Sequence, residues 1–129
     1  MPLSVLVVDD DGAFRHLITR VVNRWGHMVI GEAGSVAEAL AQADELRPDT
    51  VLIDLGLPDG DGFSLARQLR TRPWPMRVVL FSSGGDRADA AAARRAGAIG
   101  FVRKDELAGR AMRRLVEIGS GEVNGDDDL

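Results

Sequence analysis

Short apolar runs and helical patterns alternate about five times along this chain of 129 residues. Turn-forming residues bound the apolar runs, and the helical stretches repeat apolar residues at intervals of three and four. Such alternation is typical of an α/β protein, in which helices cover both faces of one parallel sheet. We therefore expect a doubly wound sheet of five parallel strands in the spatial order 2-1-3-4-5. The predicted strands lie at 5–8, 28–33, 50–55, 77–81 and 99–102, and the predicted helices at 14–25, 36–47, 63–70, 87–96 and 107–118.

Capping residues and glycines mark the helix boundaries. Asp10 or Asp11 can act as the N-cap of the first helix, and Gly26 ends its apolar pattern. Ser35 is the expected N-cap of the second helix. The fourth helix has only alanines on its apolar face, so it buries little area and we expect it to pack loosely. The stretch 56–62 is rich in turn-forming residues and is predicted to be a loop.

The composition is that of a single globular domain, which we assign to residues 1–118. No apolar stretch approaches the roughly 20 residues that span a bilayer. The first residues also lack the charged start of a signal sequence, so we expect a cytoplasmic protein without membrane contact. The chain contains no cysteine, which excludes disulfides, thiol catalysis and zinc–thiolate sites.

The net charge of -4 comes from the C-terminal end. The chain has 20 acidic and 16 basic residues, and four of the acids fall after residue 118. The rest of the chain is formally neutral, which argues against a domain that binds nucleic acid through its phosphates. Residues 119–129 are acidic and glycine-rich, and we interpret them as a disordered tail or the start of a linker.

Polar side chains follow four of the predicted strands at the point where each strand ends. Asp9 and Asp10 follow the first strand, Asp54 ends the third, Ser82 follows the fourth and Lys104 closes the fifth. Right-handed crossovers bring the carboxyl ends of parallel strands to one edge, where ligand sites form at the switch point of the sheet. We therefore expect these acids and the only lysine of the chain to line one shallow pocket.

This combination of side chains suits phosphoryl chemistry. Clustered carboxylates repel one another unless they hold protons or share a hard cation, and Mg²⁺ prefers oxygen ligands. An ammonium and a hydroxyl opposite the metal would bind the equatorial oxygens of a phosphoryl group in transfer. An aspartate can itself be the nucleophile and form an acyl phosphate, and Asp54 is the central candidate.

Five separated motifs stand in a fixed order between residues 4 and 118: VVDD at 7–10, DLGLPDGDG at 54–62, SS at 82–83, AGA at 96–98 and FVRK at 101–104. Together they make the chain resemble the receiver domains of two-component response regulators. The resemblance implies a flavodoxin-like fold. The lysine is followed by a polar residue, and in this the chain resembles receivers that are attached to LuxR-type helix-turn-helix outputs.

By this resemblance, Asp54 accepts a phosphoryl group from a histidine kinase. The protein would then be a signalling switch that takes part in its own phosphorylation and dephosphorylation, rather than an enzyme with a separate substrate. Asp10, Asp54 and the carbonyl of Gly56 would bind Mg²⁺ directly, and Asp9 would bind it through water.

The resemblance also implies how a signal would leave the site. Ser82 and Lys104 would contact the phosphoryl oxygens, Ser82 would shift toward the phosphoryl group, and Phe101 would follow it inward. The surface that changes would be formed by helix 4, strand 5 and helix 5. An output domain, a downstream protein or a second copy of the chain could bind there.

Two features depart from the usual pattern of this family. Asp105 stands where receivers usually have a proline after the lysine, so we expect a trans peptide bond there. Gly56 and Gly84 carry no side chain that would shield an acyl phosphate from water. We therefore expect a short-lived phosphorylated state.

Two other functions stay open. Residues 9–12 also fit the D-x-D-G motif of haloacid-dehalogenase-like phosphatases, with Asp9 as nucleophile and Asp11 as acid and base. A degenerate receiver would keep the fold and act only as an interaction module.

The two histidines are assigned no site. His16 and His27 have no acidic partner in register, which favours surface or half-buried positions over metal binding.

Overall fold

The computed structural model describes residues 2–83, 87–106 and 109–117. Within these ranges the strands are β1 (Ser4–Val8), β2 (Met28–Ala33), β3 (Thr50–Asp54), β4 (Gly56–Leu57), β5 (Gly60–Asp61), β6 (Arg77–Ser82) and β7 (Gly100–Arg103). The helices are α1 (Gly12–Arg24), α2 (Val36–Leu46), α3 (Gly62–Leu69), α4 (Arg87–Arg95) and α5 (Arg110–Glu117), with a 3-10 turn at Lys104–Glu106. None of the helices in the described ranges has the length and apolar character needed to cross a membrane.

Five of the strands form one parallel sheet in the order β2-β1-β3-β6-β7. β6 and β7 are the fourth and fifth strands of the predicted sheet, so the predicted order and the doubly wound α/β class are confirmed. The register pairs Asp54 with Phe81 and Ser82 with Arg103. The carboxyl ends of these neighbouring strands therefore lie side by side at one edge.

Two hydrophobic clusters, one on each face of the sheet, hold the helices in place. Alternate side chains of β1 divide between them, with Leu6 and Val8 in the first cluster and Val5 and Val7 in the second. All five residues of β3 are buried, as expected for a strand covered on both faces. The first cluster includes residues of α2, α3 and α4, and the second includes residues of α1 and α5. Helices thus cover both faces, as predicted.

Caps and a glycine fix the ends of the first two helices. Of the two candidate caps of α1, the structure selects Asp11, whose Oδ1 accepts hydrogen bonds from the backbone N–H groups of Ala13 and Phe14 at 3.0 and 3.3 Å. Ser35 caps α2 as predicted. Gly26 follows α1 with a φ of 93°, a conformation that glycine adopts without strain.

The loop after β3 is more regular than predicted. Its residues form an antiparallel hairpin of β4 and β5 that turns at Pro58 and Asp59. The sequence does not reveal this hairpin, because each strand has two residues, one of them glycine, and so shows no alternating pattern. The 3-10 turn at Lys104–Glu106 was also not predicted, whereas the predicted trans bond before Asp105 is confirmed. Several predicted features lie outside the described residues: Gly84, the helix positions Leu107 and Ile118, and the tail at 119–129.

His27 is buried and has an acidic partner, so the expectation that it lacks one was wrong. Its Nδ1 accepts a hydrogen bond from the Leu3 backbone N–H at 3.0 Å, and its Nε2 lies 2.8 Å from Glu117 Oε2. Arg113 Nε approaches the same carboxylate oxygen at 3.1 Å. The partners are 90 residues apart in the sequence, so only folding brings them together. His16 is exposed, as predicted.

Replacing Gly62 with alanine should destabilise the fold, because a Cβ there would lie 2.9 Å from the Asp54 carbonyl oxygen and 3.0 Å from the Leu55 Cα. Gly12→Ala is the matched control, since both glycines open a helix directly after an aspartate N-cap. The atom nearest to a Cβ at Gly12 is the flexible end of Arg15, at 3.3 Å. We expect Gly62→Ala to lower the free energy of unfolding by about 1–3 kcal/mol, and Gly12→Ala to leave it unchanged or raise it by roughly 0.5 kcal/mol. Urea denaturation measures the free energy of unfolding of both variants. Equal values for Gly62→Ala and Gly12→Ala would contradict the backbone clash.

Candidate functional site

The predicted site residues lie together at the edge formed by the carboxyl ends of the strands. Asp9 and Asp10 follow β1, Asp54 ends β3, Ser82 ends β6 and Lys104 follows β7. The three aspartates each offer a carboxylate oxygen, and these oxygens lie within 4.8 Å of one another. The fold therefore places three carboxylates, a hydroxyl and an ammonium at one edge.

Asp9 and Lys104 form an ion pair at the centre of this group. Lys104 Nζ lies 2.8 Å from Asp9 Oδ2 and 3.8 Å from Asp54 Oδ1. The side chain of Asp9 is fully buried, and its Oδ1 accepts a hydrogen bond from the Asp11 backbone N–H at 2.9 Å. Arg15 Nη1 donates to the Asp9 carbonyl oxygen at 2.6 Å, which fixes the backbone of the same residue. A buried carboxylate needs such partners, because burying an unpaired charge is costly.

Two phenylalanine rings lie beside the Lys104 ammonium. Nζ is 4.2 Å from the ring centroid of Phe14 and 5.7 Å from that of Phe81. The two ring centroids are 5.6 Å apart, and the rings are tilted by 43°. By their sequence pattern, both phenylalanines are only apolar positions of a helix and a strand. Their places in the chain, Phe14 one turn after the acid pair and Phe81 directly before Ser82, are the signal that could have identified them.

The surroundings of Asp54 raise its pKa from 3.8 to about 6. Burial of the carboxyl group is the largest cause, and repulsion from Asp9 adds to it. The ammonium of Lys104 opposes the rise, Asp10 contributes further repulsion, and a hydrogen bond from the Gly56 backbone lowers the pKa slightly. Asp54 thus stays mostly ionised at neutral pH and can act as an oxygen nucleophile.

Ser82 and Phe101 lie on the same face of the sheet. Phe101 pairs in register with Leu80 and is partly buried against the first hydrophobic cluster, to which Leu80 belongs. Ser82 comes two residues after Leu80, and side chains two apart on a strand share a face. Ser82 is itself half-buried at the end of β6.

The oxygen donors at this edge fit a small hard cation. Asp9 Oδ2 is buried, and it accepts no aligned hydrogen bond from the described residues although Lys104 Nζ is 2.8 Å away. Asp10 is exposed and completes the group of carboxylates with Asp54. The backbone of Gly56 borders the Asp54 carboxylate, since a Cβ at this position would lie 3.9 Å from Asp54 Oδ2. Mg²⁺ binds carboxylate and carbonyl oxygens while it keeps several waters, so this set of donors suits it.

Asp59 holds the hairpin that carries Gly56. Its two carboxylate oxygens accept hydrogen bonds from the backbone N–H groups of Val36 and Ala37 at 2.7 and 3.0 Å, at the start of α2. These hydrogen bonds, the one from Val36 first, lower the pKa of Asp59. The sequence does not reveal this role of Asp59, because Val36 lies 23 residues earlier, in another element.

The response regulator receiver domain family matches residues 5–116, and the chain belongs to this family. The DNA-binding transcriptional activator DevR/DosR of Mycobacterium tuberculosis is 35% identical over 120 residues, which cover 92% of this chain and 55% of the relative. A protein-glutamate methylesterase/protein-glutamine glutaminase of Anaeromyxobacter dehalogenans is 42% identical over 110 residues, which cover 84% of this chain and 31% of that protein. The chain thus spans just over half of the length of the first relative and less than a third of the second.

Solved receiver structures share the fold. The signal receiver domain of the response regulator NarL from Mycobacterium tuberculosis has a TM-score of 0.84 and 31% identity, with 94% of this chain and 98% of that chain covered. A LuxR-family two-component response regulator from Aurantimonas has a TM-score of 0.86 and 29% identity, with 98% and 92% covered. The flavodoxin-like class and the likeness to LuxR-type receivers are therefore confirmed.

The raised pKa of Asp54 predicts a pH-dependent gain in stability for Asp54→Asn. Above a pH of about 6, the wild type holds an ionised Asp54 beside Asp9 and Asp10, and asparagine removes that charge. Because the folded pKa lies above the unfolded one, the native state binds the proton more tightly, and the wild type regains this stability as the pH falls through about 6 towards 3.8. The melting temperature of Asp54→Asn should therefore exceed that of the wild type at neutral pH, and the difference should shrink in acid. A difference that stays constant across this range would contradict the raised pKa.

Proposed function

We propose that this receiver domain is a phosphorylation-dependent switch in which Asp54 accepts a phosphoryl group from a histidine kinase. The position of Asp54 carries the proposal. Its Oδ1 is 3.8 Å from the Lys104 ammonium, and it shares a 4.8 Å cluster with the oxygens of Asp9 and Asp10. Asp54 is thus part of the candidate Mg²⁺ site and also lies near the Lys104 ammonium. A phosphoryl group in transfer to Asp54 needs positive charge of this kind around it.

In the proposed step, an oxygen of ionised Asp54 attacks the phosphorus of a phosphohistidine on the kinase. A P–O bond forms while the P–N bond breaks, and the bonding electron pair stays on the imidazole nitrogen of the kinase. Asp54 is ready for this step because a pKa of about 6 leaves it ionised at neutral pH. Asp10, Asp54 and the Gly56 carbonyl would hold Mg²⁺ directly and Asp9 through water, and the ion would neutralise charge on the phosphoryl oxygens.

Lys104 and Ser82 would bind the phosphoryl oxygens once the group is on Asp54. The Lys104 ammonium already stands 3.8 Å from the Asp54 carboxylate, so it needs little movement. Ser82 directly follows Phe81, which pairs in register with Asp54 across the neighbouring strands. Both groups therefore approach Asp54 from the β6 and β7 side of the sheet.

The signal would leave the site through Ser82 and Phe101. Both lie on the face of the sheet that α4 covers, and Phe101 is only partly buried, which supports an inward turn of its ring when Ser82 moves. We propose that the surface of α4, β7 and α5 then binds an output domain, a downstream protein or a second copy of the chain. Relatives about twice as long as this chain support an output domain.

The surroundings of Asp9 and Asp11 do not suit the phosphatase alternative. Asp9, the nucleophile of the phosphatase alternative, is fully buried and paired with Lys104. Asp11, its acid and base, is engaged as the N-cap of α1. Both facts favour the switch over a phosphatase. An interaction module would share the whole fold, so only phosphorylation itself separates it from the switch.

Several expectations stay predictions. These are the cytoplasmic location, the absence of nucleic acid binding by this domain alone, and the tail at 119–129. The short lifetime of the phosphorylated state rests partly on Gly84, which lies outside the described residues.

Intact-mass measurement after incubation with acetyl phosphate and Mg²⁺ tests the proposed function. We expect a single phosphoryl adduct that requires Mg²⁺ and is absent from Asp54→Asn. Asp44→Asn, which changes an exposed carboxylate on α2, is the matched control and should keep the adduct. No adduct on folded wild type would favour the interaction module. An adduct that survives Asp54→Asn but is lost in Asp9→Asn would favour the phosphatase.

Lys104→Ala should slow phosphorylation and shift its pH dependence. Loss of an ammonium that stabilises the phosphoryl oxygens should reduce the rate by roughly 100-fold. Because this ammonium lowers the pKa of Asp54, its removal should raise that pKa and move the midpoint of the rate–pH curve upward. Rates of adduct formation with acetyl phosphate on both sides of neutral pH measure the two effects. An unchanged rate would contradict a role of Lys104 in stabilising the phosphoryl oxygens.

A further inference from the structure

We propose that Phe14, supported by Phe81, is a positioning residue for the Lys104 ammonium and keeps it within reach of both Asp9 and Asp54. This inference rests on the proposed function, since it concerns the cation that would receive the phosphoryl oxygens. The observation is the place of Nζ: 4.2 Å from the Phe14 ring centroid, 2.8 Å from Asp9 Oδ2 and 3.8 Å from Asp54 Oδ1.

The electrostatics of the ring make it a suitable support for the cation. The face of an aromatic ring carries partial negative charge and attracts an ammonium within about 6 Å of its centroid. The Phe14 centroid, at 4.2 Å from Nζ, lies well within this distance, and the Phe81 centroid, at 5.7 Å, lies just within it. The Lys104 side chain is 18% exposed, so water screens this attraction only in part.

A ring holds an ammonium without competing for its hydrogen bonds. Lysine has a long flexible stem and three N–H donors. A third carboxylate beside Lys104 would take a donor and neutralise charge that the phosphoryl oxygens require. The Phe14 ring contacts the ammonium without accepting one of its hydrogen bonds, and the ammonium stays 2.8 Å from Asp9 Oδ2 and 3.8 Å from Asp54 Oδ1. Such preorganisation lowers the cost of placing a charge where it is needed in the transition state.

One backbone turn fixes the ring and the carboxylate together. The Asp11 backbone N–H donates to Asp9 Oδ1 at 2.9 Å, and Asp11 Oδ1 accepts from the Phe14 backbone N–H at 3.3 Å. Asp11 therefore links the carboxylate that binds Lys104 to the residue whose ring lies beside it. Local hydrogen bonds at the start of α1 therefore set the distance between the Asp9 carboxylate and the Phe14 residue. This distance does not depend on the flexible lysine stem.

A packing role for Phe14 must be separated from a positioning role, because its ring also packs against the second hydrophobic cluster. Phe14→Leu keeps an apolar side chain and removes the ring. Phe14→Tyr keeps the ring. Ile18→Val weakens the packing of the same helix in the same cluster, at a buried residue that has no aromatic ring to attract an ammonium.

Beryllofluoride is a tetrahedral mimic of the phosphoryl group. Its affinity for the protein in the presence of Mg²⁺ is the first readout. We expect Phe14→Leu to raise the dissociation constant and to slow adduct formation from acetyl phosphate, each roughly fivefold. Phe14→Tyr should stay within about twofold of the wild type. Ile18→Val should match the wild type in both measurements although it lowers the melting temperature.

A second readout needs neither metal nor phosphoryl mimic. The proton resonances of the Lys104 ε-methylene in the full chain should be shifted upfield by the Phe14 ring current, and Phe14→Leu should remove most of this shift. If the wild type and Phe14→Leu bind beryllofluoride equally well, the inference is overturned and the proposed function stays intact. Wild type that binds no beryllofluoride and forms no adduct would overturn the proposed function itself.

Discussion

The parallel pairing of β2-β1-β3-β6-β7 is the constraint on which the site depends. Because all five strands of this sheet run the same way, each connection returns through a helix, and the carboxyl ends of the strands meet at one edge. The register then sets which residues become neighbours, since it pairs Asp54 with Phe81 and Ser82 with Arg103. A strand that ran the other way would carry its polar residue to the opposite edge of the sheet.

At this edge the three aspartates differ mainly in burial, and burial divides their roles. Asp9 is fully buried and is compensated by the Lys104 ammonium, so it acts as the anchor of that cation. Asp10 is exposed and is free of the desolvation that affects the other two. Asp54 lies between these extremes, and its pKa of about 6 follows from partial burial beside like charges. Burial raises this pKa most and repulsion from Asp9 and Asp10 adds to it, and the same repulsion would favour a cation shared by the three carboxylates.

The fold could be predicted from the sequence more completely than the site. Strand and helix positions follow from apolar periodicity and caps such as Ser35, which involve residues a few positions apart. The missed contacts all join distant segments: Phe14 with Lys104, Asp59 with the start of α2, and His27 with Glu117. Nothing in the local pattern of Asp59 or His27 distinguishes them from ordinary turn or surface positions, whereas the place of Phe14 one turn after the acid pair is a local signal. The β4–β5 hairpin was missed for a different reason, because strands of two residues are too short to show a period.

By itself, the sequence determined the alternation of strands and helices, the identity of the polar residues at the strand ends and, through them, the family. These features depend on residue type and short spacing, which a single chain displays directly. Only the tertiary structure decided that Asp9 would be the fully buried acid, that Lys104 would bind it at 2.8 Å, and that a phenylalanine ring would lie beside the ammonium. The reason is that burial, charge repulsion and ring contacts arise where α1 packs against β6 and the chain after β7. The distances between these segments are not encoded by any spacing along the sequence.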